Sequence, residues 1–442
     1  MKSITLTYCP TSSGVPLQEV EQLGQRLKPE IERTKEAQGQ EYATDYASLH
    51  LSADQQMIEG VIKLIAQKRA DLNPTMLVVV GIGGSSLGTI AVHEARNGLF
   101  YNQTSQKTKI YFVDTVDADY TRSVLALAQQ EFEKGDSVLV NVVTKSGTTT
   151  ETVVNAQLFL QLLQKHRPKD FRDRIVVTTD RDSKLWQYAQ QEQLDALEIP
   201  KKVGGRYSVF SPVGLFPLGF VGIDIKELLR GAQRMVEEGI AQDVMKNPAA
   251  LSAAVVYGQL KKGSTIHDTF IFSRQMRAVG DWYRQLVGES LGKRTDRDGK
   301  VVYAGITPTT SIGTNDLHSV AQLYLGGPRD KFATFVTVGS QDEKLAVPHF
   351  EQFDAMVPYV QGKTVASIMD AIAHGVRRAY RADDRPFISI ALPQRSAFYL
   401  GQFLQMKMLE VIYLGFLMNV NPFDQPAVER YKKETRKILA SE

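Results

Sequence analysis

Short apolar runs recur along the chain, each followed by a stretch whose apolar positions repeat every three to four residues. Met76–Val80, Lys109–Val113, Ser137–Val143 and Arg174–Thr179 are nearly continuous in apolar and β-branched residues, the mark of strands covered on both faces. Gln55–Lys68, Ala118–Gln130, Glu151–Lys165 and Ser183–Leu194 carry the helical period before and between them. This alternation predicts a parallel sheet with helices on both sides. A second set follows. Strands are expected at Asp268–Ser273, Ala333–Val338 and Phe387–Ala391. Helices are expected at Lys226–Gly239, Pro248–Lys261, Gln275–Val287 and Val365–Tyr380, then Ala397–Met418 and Gln425–Leu439. Residues 1–50 read as mostly helical and polar, a segment covering the second domain. With a boundary near Pro200, the expected organisation is 1–50, 51–200 and 201–442.

Composition narrows the class. The 442 residues are 43% hydrophobic, enough for a large core, and the formal net charge is only +3. Basic pairs such as Lys261-Lys262 are short and mixed, so a nucleic-acid stripe is not expected. A single cysteine, Cys9, rules out an internal disulfide framework, and the seven histidines are scattered rather than set at zinc-ligand spacing. No apolar run approaches the roughly 20 residues that span a bilayer, and no secretory signal is evident. A soluble, cytoplasmic protein is expected.

Two loops look suited to anions. In Gly81-Ile82-Gly83-Gly84-Ser85-Ser86-Leu87-Gly88 a predicted strand runs into a glycine-rich turn and then a helix. Glycines allow close approach of a ligand, and the helix start offers free N–H groups. A dinucleotide fingerprint fails because Ser86 stands at its last glycine, and no Gly-Lys-Ser/Thr follows for a nucleotide phosphate loop. An ordinary tight turn stays open. The second loop, Thr144-Lys145-Ser146-Gly147-Thr148-Thr149-Thr150-Glu151-Thr152, also joins strand to helix. Thr148 and Glu151 have capping-box spacing, which predicts the helix start there. Ser146, Thr148 and Thr149 then cluster at the positive end of a helix, with Lys145 beside them. Both loops lie at the carboxyl ends of predicted strands, where parallel sheets bind ligands.

Several residues have acid–base potential. Glu289 ends a helical face carrying Trp282 and Leu286. Apolar surroundings disfavour a carboxylate's charge and suit it to taking up and returning a proton; a helix-end salt bridge with Lys293 is the plainer alternative. His318 lies in Gly313-Thr314-Asn315-Asp316-Leu317-His318-Ser319, near the start of a predicted helix, where a neutral imidazole is favoured; a structural role is equally open. Arg206 follows Gly204-Gly205, which would let it reach into a cleft; an ordinary surface charge is the plainer alternative. Lys432 lies in a segment for which Asp424 is a candidate N-cap with Pro426 in the first turn; spacing alone does not choose between Lys432 and Lys433, and a solvated lysine is the plainer reading of either.

Together, GIGGSSLG (81–88), TKSGTTTET (144–152), GGRYSVFSPVGLFPL (204–218), WYRQLVGESLGK (282–293), GTNDLHS (313–319) and NPFDQPAVERYK (421–432) resemble the glucose-6-phosphate isomerase family, within the wider group of sugar-isomerase domains. The matches span most of the chain in the family's order. The resemblance implies an α/β fold of two αβα sandwich domains with parallel-rich sheets and helical terminal segments, and a homodimer with shared active sites. It implies a hexose phosphate substrate and no metal or redox cofactor. Ser85, Ser146, Thr148 and Thr149 would hold the phosphate, with Lys145 nearby and Gly83, Gly84 and Gln285 completing the substrate contacts. His318 and Lys432 would handle ring opening, Glu289 would carry the proton between C2 and C1, and Arg206 would stabilise the enediolate. Dual action on mannose 6-phosphate and a non-catalytic sugar-phosphate sensor are the alternatives. A nicotinamide-dependent dehydrogenase is disfavoured by Ser86. Pro426 and Ala427 depart from the family's usual residues, and the segment 294–310 reads as an exposed loop, longer than in many members, near Glu289.

Overall fold

The computed structural model describes residues 3–105, 107–339 and 344–441. The chain forms two compact units, Arg33–Gln233 and a second made of Met1–Glu32 with Arg234–Glu442. A three-residue strand, β1 (Thr5–Thr7), belongs to the second unit.

The sheet of the Arg33–Gln233 unit comprises β2 (Met76–Val80), β3 (Lys109–Val113), β4 (Val138–Val143), β5 (Ile175–Thr179) and β6 (Asp195–Glu198). All are parallel, in the order β3-β2-β4-β5-β6. Strands β2, β4 and β5 are buried at every position, as a sheet with helices on both faces demands. Val78, Val140 and Val177 meet Phe159 and Leu163 of the helix Thr150–His166 in one core. The chain enters at β2, adds β3 on one side, then crosses to β4 on the other. The order therefore reverses between β2 and β4, and successive loops diverge there to leave a crevice at the carboxyl ends. The unit continues beyond Pro200 because the helix Pro212–Phe220 packs on the helices Gln55–Leu72 and Leu87–Asn97. Arg69 donates to the Phe220 carbonyl at 2.6 Å.

The second unit has a main sheet of β7 (Ile266–Ile271), β10 (Thr307–Ile312), β11 (Lys331–Val338), β12 (Phe387–Leu392) and β1; between β7 and β10 in the chain lie β8 (Lys293–Thr295) and β9 (Val301–Ala304). Its order is β1-β12-β11-β7-β10, parallel except for β1. Phe270, Phe335, Tyr380 and Phe387 form its aromatic core. The helix Ala397–Leu417 is buried along almost its whole length, against the helices Pro248–Lys261 and Arg277–Leu291. Its Lys407 and Glu410, both fully buried, form an ion pair at 2.8 Å.

The chain is thus an α/β protein of two parallel-rich sandwiches. Strands β1, β6, β8, β9 and β10 are additions to the sequence-based expectation. Residues 1–50 hold the expected helix, Leu17–Ala37, but also β1, which pairs antiparallel with β12. The expected loop 294–310 is an antiparallel hairpin, β8–β9, followed by the start of β10. Pro308 and the hydroxyl-rich Thr-Thr-Ser run hide β10 from a hydrophobic reading. Its place at the sheet's edge explains why a proline is tolerated there.

Candidate functional site

At the switch point of the Arg33–Gln233 unit, β2 and β4 each deliver one of the two hydroxyl-bearing loops. Gly83 opens a 3-10 turn over Gly83–Ser85 with φ of 60°, a left-handed value that favours glycine. A Cβ on Gly84 would stand 2.2 Å from the carbonyl carbon of Gly205, so the two turns touch through bare backbone. Ser208 Oγ donates to the Gly84 carbonyl at 3.2 Å and locks the contact. This packing delivers Arg206, held in the turn Gly205–Tyr207 and only 1% exposed, to the loop carrying Ser85. The Arg206 guanidinium lies 5.3 Å from the centre of the Tyr207 ring.

The second loop departs from the expected capping box. The N-cap of the helix Thr150–His166 is Thr149, not Thr148, and its side chain makes no capping bond. The Thr149 hydroxyl instead meets the Thr144 hydroxyl at 2.9 Å and the Ser146 hydroxyl at 3.4 Å, while Thr148 N–H donates to Ser146 Oγ at 3.3 Å. Hydroxyls thus gather in front of a helix start not capped by its N-cap side chain, which suits an anion. Burial holds the Lys145 ammonium below its ordinary value; Asp180 opposes this, and Lys202 and Arg206 add to it. The structure therefore brings Gly83, Gly84, Ser85, Lys145, Ser146, Thr148, Thr149 and Arg206 to one end of one sheet. Sequence reading missed two supports of this loop. Thr179 Oγ1 donates to the Thr144 carbonyl at 2.6 Å and meets Ser183 Oγ at 2.8 Å. Their sequence signals are the hydroxyls themselves, Thr179 at the carboxyl end of β5 and Ser183 at the N-cap of the helix Lys184–Gln191.

The second unit holds the remaining candidates. Trp282 and Leu286 are buried as expected, and Glu289 is half-buried on the last turn of the helix Arg277–Leu291. Gly280 lets this helix approach β10, since a Cβ there would stand 2.2 Å from Thr310 Cγ2. Gln285 Nε2 donates to Glu289 Oε1 at 3.0 Å, and Gln285 Oε1 is buried with no hydrogen-bond partner among the described residues. The Lys293 ammonium donates to the Glu289 carbonyl at 2.6 Å and the Asp424 carbonyl at 2.8 Å, and pairs with Asp424 Oδ1 at 3.4 Å. Asp424 is not the expected N-cap, because Gln425 takes that position. Gln425 precedes a 3-10 turn, Pro426–Val428, and the helix Glu429–Ser441 follows. Glu289 opens on a cavity of about 840 Å³ lined also by Arg294, Tyr303, Asp424 and Arg430.

His318 closes the 3-10 turn Asn315–His318 and is exposed, three residues before the helix Ala321–Gly326. Asp316 anchors this turn by accepting the Ile312 N–H at 2.7 Å and the Ser319 hydroxyl at 2.8 Å. Lys432 is half-buried where Lys433 is exposed, and it pairs with Glu429 at 2.8 Å. Neither His318 nor Lys432 lines the cavity beside Glu289. Among the described residues, no group of three or more His, Cys, Asp or Glu is placed to hold a metal ion, and no helix is long and apolar enough to cross a membrane.

Two parallel α/β sandwiches, one with hydroxyls, a lysine and a buried arginine at its switch point, define a sugar-isomerase type of fold. Residues 55–442 match the family model for phosphoglucose isomerase. A glucose-6-phosphate isomerase of Rubrobacter xylanophilus is 32% identical, with 98% of each chain covered. One of Carboxydothermus hydrogenoformans is 35% identical over 83% of this chain and 79% of its own. The crystal structure of a hypothetical protein from Thermus thermophilus superposes with a TM-score of 0.86 at 31% identity, covering 99% of this chain and all of its own. A glucose-6-phosphate isomerase from Chlamydia trachomatis, at 21% identity, shares the fold with a TM-score of 0.83 over 100% of this chain and 89% of its own. The chain belongs to the phosphoglucose isomerase family, and it is an isomerase.

Proposed function

We propose that this enzyme interconverts glucose 6-phosphate and fructose 6-phosphate through an enediolate. The observation that carries the reading is the cradle of Ser85, Ser146, Thr148 and Thr149 at the switch point, with Lys145 and the buried Arg206 beside it. The hydroxyls and the helix start bind the ester phosphate, and Lys145 adds positive charge. His318 and Lys432 move the protons that open the sugar ring. Glu289 removes the proton from C2 and returns it to C1, and Gln285 orients its carboxylate through their hydrogen bond. Negative charge grows on the enediolate oxygen, where the fixed Arg206 guanidinium stabilises it. A cytoplasmic homodimer with shared active sites belongs to the same reading, carried by the family resemblance. Sedimentation at twice the chain mass is the expected result, and a monomer with full activity would remove that part.

The test is a coupled assay of glucose 6-phosphate formation from fructose 6-phosphate, comparing the unaltered chain with Glu289→Gln. The substitution keeps the size and removes the base, so kcat falls by about 10²–10⁴-fold or more. An unaltered chain that binds the sugar phosphate and turns nothing over would overturn the reading. An active Glu289→Gln variant would remove Glu289 as the base.

A further inference from the structure

A second cavity, of about 320 Å³ in the unit of Met1–Glu32 and Arg234–Glu442, contains none of the residues assigned above. Strands β1 and β12 form one wall and the helix Val365–Ala382 forms the other. That helix contributes His374, Arg377, Arg378 and Arg381 to the lining. Their spacing of three, four and seven residues places them on one helical face. Thr7 and Ser389 face them from the strands as hydroxyl donors.

A basic stripe is most often a solvated face whose charges pair with acids one turn away. Here that pairing is missing. Arg377 and Arg378 form no hydrogen bond or ion pair among the described residues. Arg381 turns to an uncharged partner, donating to Ser12 Oγ at 2.9 Å, and lies over the Phe387 ring at 5.6 Å. Burial holds the Arg377 guanidinium below its ordinary value, Arg381 adds to this, and Asp370 opposes it. Three guanidiniums converging on one concavity repel one another unless an anion occupies it.

We propose that this cavity binds a small, multiply charged oxyanion of the phosphate class. Arginine forks match phosphate oxygens two at a time, and the hydroxyls of Thr7 and Ser389 complete the donor set. The cavity lies at the small end of the roughly 300–1,000 Å³ range of ligand pockets, so the occupant is of pyrophosphate or small phosphoester size.

Cys9 lines the same cavity and is the one cysteine of the chain, so a thiol reagent reports on this place alone. Its thiol is held down to about 7, chiefly by hydrogen bonding with the Thr11 hydroxyl at 3.1 Å, and is therefore reactive near neutrality. The experiment follows the rate of Cys9 alkylation by iodoacetamide in the full chain, with increasing pyrophosphate at constant pH and ionic strength. Saturable protection is expected, about tenfold at ten times the half-saturating concentration. The double variant Arg377→Ala/Arg378→Ala is expected to raise the half-saturating concentration about tenfold or more. If that variant does not fold, Arg378→Gln alone, at an exposed side chain, serves the same comparison. The proposal is overturned by no protection, by equal protection from sodium chloride, by an unchanged half-saturating concentration in the folded variant, or by protection from polyglutamate but not from pyrophosphate.

Discussion

Gly84 and Arg206 depend on each other. The glycine is bare because the Gly205 backbone occupies the space where a side chain would start, and the arginine is buried because the turn behind it is pressed against that glycine. Gly84→Ala therefore places a methyl group against backbone that cannot turn aside. We expect a loss of about 1–3 kcal/mol in stability, read from the denaturant midpoint, and a raised KM for the sugar phosphate. Arg206→Lys tests a different property of the same spot. Lysine keeps the charge but loses the planar fork and its fixed direction. We expect kcat to fall about 10²–10³-fold with the fold intact by circular dichroism. A kcat unchanged beside a raised KM would make Arg206 a phosphate ligand only. The motif reading singled out both residues, but their mutual packing was invisible to it, because 122 positions of chain separate them.

At the scale of elements, the helix carrying Glu289 is held by a partner that no motif announces. Tyr283, on that helix, donates to the buried carboxylate of Glu410, which pairs with Lys407; the Lys407 ammonium also lies 4.7 Å from the centre of the Tyr283 ring. Removing one charge strands the other. Lys407→Met is expected to cost about 3–5 kcal/mol, whereas Lys407→Met with Glu410→Leu and Tyr283→Phe recovers most of that. Denaturant unfolding of the two variants checks the difference, and equal losses would count against a coupled network. The hydrophobic pattern found the helices Arg277–Leu291 and Ala397–Leu417 because apolar residues dominate both. It could not show that a lysine and a glutamate lie inside the second, since charges three residues apart are usually solvated. Edge strands escaped for a related reason. Strands β1, β6 and β10 are short, half-exposed or hydroxyl-rich, and a strand with one free edge needs no continuous apolar run.

For the molecule as a whole, pH acts through a group that the chemistry does not use. Asp268 on β7 is buried, accepts hydrogen bonds from the hydroxyls of Thr309, Ser311 and Tyr324, and keeps its Oδ2 without a partner among the described residues. Burial raises its carboxyl to about 6, and the three hydroxyls only partly oppose this. The fold therefore favours the protonated acid. The stability this group contributes is full below the unfolded value of about 4 and is lost as pH rises through about 6. Asp268→Asn, neutral at every pH, should flatten the urea midpoint across that window. An equally steep profile in the variant would assign the dependence to other groups.

Local order was enough to determine much of this protein. Strands and helices of the two sandwiches follow from apolar periodicity, because burial on both faces writes itself into consecutive residues. The glycine–serine loop, the hydroxyl loop and Glu289 beside Trp282 were legible because each is a short segment with its own chemistry. Tertiary structure decided the rest. It turned the Thr149 hydroxyl toward Thr144 instead of into a cap, gave Lys293 to two carbonyls and Asp424, folded 294–310 into strands, and extended the first unit to Gln233. It also gathered three arginines of one helix face around a cavity. Each of these outcomes depends on which distant surface a side chain meets, and that is fixed by packing between elements rather than by the period within one.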